Sequence, residues 1–188
     1  TKALEYYKRS LKIQEEIKDK EGIATSLNNI GGIYYKKKEL SVALDHWVKS
    51  LGIREEINDK EGLATTLNNI GGIYNNQGSA ENLGVIEKNT LLAKALEYYH
   101  KSLKIKEEIH DKKGIATALN NIGSVMLKLG QIPGALSNAS RSLQLANELG
   151  YPWAIKNASS TLKNIYKKQS KFKEAFEMYE LEIQMRDS

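Results

Sequence analysis

The chain has no cysteine, only two prolines and three histidines, and no run of 18 apolar residues. Without cysteine there is no disulfide, thiolate nucleophile or thiolate metal ligand, a composition that fits a reducing compartment. So little proline leaves helices free to run unbroken. Without an apolar run of bilayer length, no helical membrane span is available. The opening residues "TKALEYYKRS" show neither an initiator Met nor a signal-peptide pattern. The expectation is therefore a piece of a longer, cytoplasmic protein. A net charge of +5 spread over 188 residues is weak ground for nucleic-acid binding.

What the chain does have is repetition. "LKIQEEIKDKEGIATSLNNIGGIYY" from Leu11 recurs as "LGIREEINDKEGLATTLNNIGGIYN" from Leu51 and as "LKIKEEIHDKKGIATALNNIGSVML" from Leu103. A fourth, degenerate copy follows, with Ile122 mapping onto Leu162, and Ala135-Leu136 onto Ala175-Phe176. Two of the three steps are 40 residues and the middle one is 52. A fixed period of this size is the signature of a stacked repeat fold.

Each unit reads as two helices. Ile23, Leu27, Ile30 and Tyr34 make one apolar stripe of 3.6-residue period. Leu44, Trp47 and Leu51 mark the second helix, echoed by Leu4, Tyr7 and Leu11 and by Leu96, Tyr99 and Leu103. Asp19, Asp59 and Asp111 stand where N-caps belong. Pro133 and Pro152 fall at helix starts. Gly31, Gly71 and Gly123 recur inside a helix, where glycine costs about 1 kcal/mol against alanine. A cost repeated in every unit predicts a close helix–helix contact. One hairpin cannot bury its stripe alone, but stacked copies share a continuous core.

The spacing of Leu27, Ile30-Gly31, Tyr34, Ala43, Trp47 and Leu51 resembles the tetratricopeptide repeat (TPR) signature. Gly78 and Gly130 match that family's turn glycine, where the first unit has Lys38. The longer 40-residue unit is similar to the Leu-Gly-Asn repeat class and to bacterial signalling arrays. The resemblance implies an all-α, right-handed superhelical solenoid of antiparallel helix pairs, with first helices lining the concave face. A single array over residues 1–188 follows: an orphan second helix at 1–18, then pairs at 19–58, 59–110, 111–150 and 151–188. The extra twelve residues, placed at 78–92, are expected as a loop or short irregular helix. They are either a tolerated surface insertion or a partner-contacting loop, with Leu91 and Leu92 extending the second helix by a turn.

Chemistry is hard to find. His46, His100 and His110 lie apart, with no metal-ligand spacing. The pairs Glu15-Glu16, Glu55-Glu56 and Glu107-Glu108 repeat with the scaffold and read as a solvated face. Phosphate-binding and nucleophile-elbow motifs are absent. The reading is no enzyme, no cofactor and no metal.

The asparagine pairs are the functional lead. Asn29, Asn69 and Asn121 coincide with a consensus position and are assigned to the scaffold. Asn28, Asn68 and Asn120 fall where the family's groove residues fall. On the same face lie Thr25, Gly32 and Lys36; Thr65, Gly72 and Asn76; Thr117, Ser124 and Lys128; and Asn164 and Lys168. A ladder of carboxamides suits the amides and carbonyls of an extended peptide. The basic rim would favour acidic peptides or a free carboxylate. The bland alternative is a wet, unoccupied concave face.

The resulting expectation is a non-enzymatic protein–protein interaction scaffold binding a protein or peptide, with neither membrane nor nucleic acid as partner. A second reading is the sensory region of a larger bacterial signalling protein, such as a histidine kinase, cyclase or transcriptional regulator. Neither end looks like a polar cap. Leu4, Tyr7 and Leu11 at one end, and Phe172, Phe176, Tyr179 and Ile183 at the other, predict self-association.

Overall fold

The computed structural model describes residues 2–186, so the outermost Thr1, Asp187 and Ser188 of the expected array lie outside the described residues. The described residues form α1 (Lys2–Glu16), α2 (Lys20–Lys36), α3 (Leu40–Glu56), α4 (Lys60–Gln77), α5 (Val85–Glu108), α6 (Lys112–Lys128), α7 (Ile132–Glu148), α8 (Pro152–Lys168) and α9 (Phe172–Arg186), with no strand among them. Each helix packs on the next, and the first helices of successive pairs also touch, α2 on α4 and α6 on α8. The result is an all-α repeat solenoid in which α1 precedes four helix pairs.

The three aspartates cap as expected. Asp19 accepts from the Gly22 N–H at 3.0 Å, and Asp59 and Asp111 from Gly62 and Gly114 at 2.9 Å. The core takes the predicted stripes: Ile30, Ile70, Ile122 and Ile165 are fully buried, with Trp47 and Tyr99 against them. The buried mid-helix glycines do mark close contacts. A Cβ on Gly31 would come within 2.6 Å of the Trp47 indole, and one on Gly123 within 3.1 Å of the Ala135 carbonyl.

Two recurring polar devices lock second helices in place. The Ser50, Ser102 and Ser142 hydroxyls, fully buried, donate to the carbonyls of Ala24, Ala64 and Ala116 at 2.7–2.8 Å. Arg54 and Lys106 are buried cations, each paired with the capping aspartate of the next helix, Asp59 and Asp111. A buried charge is tolerable only when so paired. At the first junction Gln14 replaces the cation and accepts from Ser26 at 2.6 Å. At the last, Ala146 and Tyr151 replace both members.

The insertion departs from expectation. One extra residue lengthens α4, four lengthen the link, and seven extend α5 backwards. The added segment is thus mostly regular helix, nearly two turns of it. Leu92 is fully buried where the extension meets the core, while Val85 and Ile86 at its tip are exposed. This also changes the role of Gly78. Lys38 and Gly130 turn with positive φ, 64° and 75°, but Gly78 stays right-handed at −66° as the C-cap of α4.

Candidate functional site

The first helices line one continuous concave cavity of about 630 Å³ that reaches from α1 to α8. Asn28, Asn29, Gly32, Tyr35 and Lys36 of α2, Asn68, Asn69 and Gly72 of α4, and Thr117 and Asn121 of α6 form its floor. Aromatic edges close it: Tyr7, Trp47, Tyr99 and Trp153. Nothing stands within 4 Å of a Cβ position on Gly32, and the nearest atoms to Gly72 are the Tyr99 and Tyr35 hydroxyls at 3.8 and 3.9 Å. The floor therefore has open space where the glycines lie.

The asparagines divide their work differently from the sequence reading. The Asn69 carboxamide N–H donates to the Asn28 carboxamide oxygen at 3.0 Å, and Asn121 donates to Asn68 at 2.9 Å. The third rung is heterogeneous, with the Thr161 hydroxyl donating to Asn120 at 2.8 Å. Each rung joins one unit to the next. Asn28 and Asn68 thus line the cavity while their oxygens also serve the scaffold, and Asn120, whose oxygen does the same, is not among the lining residues. Likewise Asn69 and Asn121 are not scaffold alone, since both line the cavity. Each Asn–Asn rung leaves one carboxamide N–H₂ and one carboxamide oxygen without a protein partner, and these atoms keep contact with solvent. Asn28 is further held by its backbone carbonyl, which accepts from the Trp47 indole at 2.9 Å.

Other expected groove residues lie elsewhere or are occupied. Asn76 lines a separate depression of about 380 Å³ with Leu40, Leu83 and Leu91. Lys128 is not a free rim cation. Its ammonium donates to the Asn75 carboxamide at 2.6 Å and the Ser79 hydroxyl at 2.7 Å, and burial lowers its pKa, with Lys88 acting in the same direction. Lys168 donates to the Leu127 carbonyl at 3.4 Å. The Thr65 and Thr117 hydroxyls turn back onto their own helices, to Glu61 and Lys113. Thr25 and Asn164 are exposed and Ser124 half-buried, outside the cavity lining.

Electrostatically the cavity is simple. Among the described residues lining it, Lys36 is the single charged side chain. The Tyr99 phenol is pushed well above its ordinary pKa by burial and stays neutral. No group of three or more His, Asp or Glu among the described residues is placed to hold a metal. No helix among them is long and apolar enough to cross a membrane.

A family model described as tetratricopeptide repeat matches residues 1–56 and 79–148. No protein of curated function matches the sequence. Among solved structures, the chain is similar to BtubC (BKLC) from P. vanneervenii, with a TM-score of 0.77 and 18% identity over 96% of this chain and 70% of that one. A Rap protein complexed with Competence and Sporulation Factor gives 0.79 and 20% over 97% of this chain and 47% of that one. Aspartyl phosphate phosphatase F from Bacillus subtilis gives 0.69 and 16% over 98% and 55%. The chain spans about half the length of these last two, and at such identities the likeness concerns fold. That fold fits a protein-interaction scaffold. With the nine described helices packed in sequence, capped and spaced as a repeat array, and the family model covering most of the residues, the chain belongs to the tetratricopeptide repeat family.

Proposed function

We propose that the chain is a non-enzymatic, cytoplasmic interaction module that holds an extended peptide segment along the concave groove. The observation that carries this is the pair of Asn–Asn rungs, Asn28–Asn69 and Asn68–Asn121, each presenting one unused donor and one unused acceptor. A peptide backbone offers the complementary acceptor and donor at every residue. The rungs hold their carboxamides in fixed orientations, so little side-chain entropy is lost on binding. Gly32 and Gly72 leave room for the main chain, and Lys36 favours a carboxylate at the α2 end.

The test is calorimetric titration with a panel of extended peptides, including ones with an acidic side chain or free C-terminus near one end. Gly32→Leu with Gly72→Leu should fill the floor and abolish binding while leaving helix content intact. A blocked groove that still binds as tightly as the original would overturn the proposal. The second reading, a sensory region of a larger signalling protein, takes its support from the Rap likeness. Retrieving the gene around this segment tests it.

A further inference from the structure

The two Asn–Asn rungs meet a peptide backbone and are blind to its side chains. Selectivity for sequence has to come from lining residues that the repeat does not copy. At the two ends of the cavity these are Lys36, in the last turn of α2, and Trp153, in the first turn of α8. Trp153 is 52% exposed, and the other units carry Glu21, Glu61 and Lys113 in its place. It lies one turn before Asn157, the counterpart of Thr117, and so shares the helix face that lines the groove in α6.

The surroundings of Trp153 define what fits against it. The carboxamide ladder stops short of α8. The last rung joins Thr161 to Asn120, neither of which lines the cavity, and among the described residues Trp153 is all that α8 contributes to the lining. Thr117 turns its hydroxyl onto the Lys113 carbonyl. Beyond Asn121, a ligand residue that lacks a backbone N–H therefore forfeits nothing. The indole offers a broad uncharged surface, backed by the Tyr151 ring at 5.9 Å between centroids. The Lys113 ammonium stands 5.4 Å from the centre of that same Tyr151 ring, and its charge disfavours a second cation stacked on the neighbouring indole. An uncharged ring without an N–H, on a backbone already held extended, meets all of these conditions. That residue is proline.

We infer that Trp153 is the specificity-determining residue at the α8 end of the groove, and that the bound segment lays a proline ring on its indole. This rests on the concave groove being a peptide site and adds the side chain that fixes how the peptide lies. With a carboxylate at Lys36 and a proline at Trp153, the segment fits in one register and one direction.

The test is calorimetric titration with acetylated, amidated ten-residue peptides of Ser and Gln, carrying one Asp at the first position in one set and at the last in another. Proline, alanine or phenylalanine is walked through the remaining positions. At one position proline should bind at least about fivefold tighter than alanine, from the ring carbons it buries on the indole. In Trp153→Ala that gain should fall below about twofold, what remains being the stiffening of the free peptide, while the alanine peptides bind as before. Trp153→Phe should keep most of it. The proline peptide should also shield the exposed indole from acrylamide quenching, since Trp47 is already buried. Gly32→Leu with Gly72→Leu keeps the two ideas apart. Peptides that bind wild type and fail on this double variant, yet show no favoured proline position, overturn the inference and leave the groove as a peptide site. So does a proline gain that survives Trp153→Ala, or a preference for phenylalanine at that position. Peptides that bind neither protein overturn both.

Discussion

The Asn69 carboxamide N–H donates to the Asn28 carboxamide oxygen across 3.0 Å, from 41 positions further along the chain. Each side chain therefore faces two ways, one atom toward its neighbour and one toward the groove. Stability and recognition are coupled at this rung. Asn28→Ala and Asn69→Ala should each lower stability, and a double-mutant cycle in urea should give a coupling energy of about 1 kcal/mol. Additive effects would show that the two side chains do not interact.

Adjacent glycines in one helix should respond oppositely. Gly31→Ala drives a Cβ to within 2.6 Å of the buried Trp47 indole and should cost about 1–3 kcal/mol, the usual scale of overpacking. Gly32→Ala meets nothing within 4 Å and should stabilise by up to about 1 kcal/mol through helix propensity. Thermal melts of the two variants check both signs.

Thr66 is fully buried and its hydroxyl has no partner. The equivalent residue in the third unit is Ala118. Thr66→Val should keep the packing, remove the unsatisfied hydroxyl and stabilise by about 1 kcal/mol. An unchanged or lower urea midpoint would contradict this.

His46 stacks on Tyr34 with ring centroids 5.6 Å apart, and its Nδ1 is buried without a partner. Burial lowers the imidazole pKa, against the opposing pull of Asp45. The unfolded chain then takes up the proton first as pH falls, so this contribution is present above the ordinary value of about 6.5 and is lost below it. The urea midpoint should fall more between pH 7.5 and 5.5 in wild type than in His46→Tyr. That variant copies the Tyr74–Tyr98 stack of the next unit, at 5.5 Å. Equal pH dependence in both would remove His46 as the cause.

Features that depend on a few neighbouring residues were legible in the sequence. The Asp19, Asp59 and Asp111 caps reach only three residues ahead. The cost of Gly31 in a helix announced a contact before its partner was known. Ser50, Ser102 and Ser142 repeat as visibly as the asparagines, yet their acceptors are backbone carbonyls that no residue type marks. Lys128 looked like a rim cation because its partners, Asn75 and Ser79, lie about fifty residues back, beside the insertion. The groove stripe also drifted. The same steps of 3, 4 and 4 end on Lys36 inside the cavity in α2, but on Asn76 in the depression beside the insertion in α4. Trp153 lines the cavity from a position where the other units carry Lys113, Glu61 and Glu21, so the repeat pattern gave no sign of it.

The buried pairs Arg54–Asp59 and Lys106–Asp111 bear on how such an array is copied. Each pair straddles a junction, its cation at the end of one hairpin and its acid at the start of the next. A gene duplication that cut between hairpins could set Arg54 against a residue like Tyr151, leaving a charge sealed inside without a counterion. A copy cut one helix out of step carries both halves together. The segment that can be inherited intact is therefore second helix plus following first helix, offset by one helix from the hairpin that folds, and the joint change to Ala146 and Tyr151 at the last junction is consistent with such linked descent.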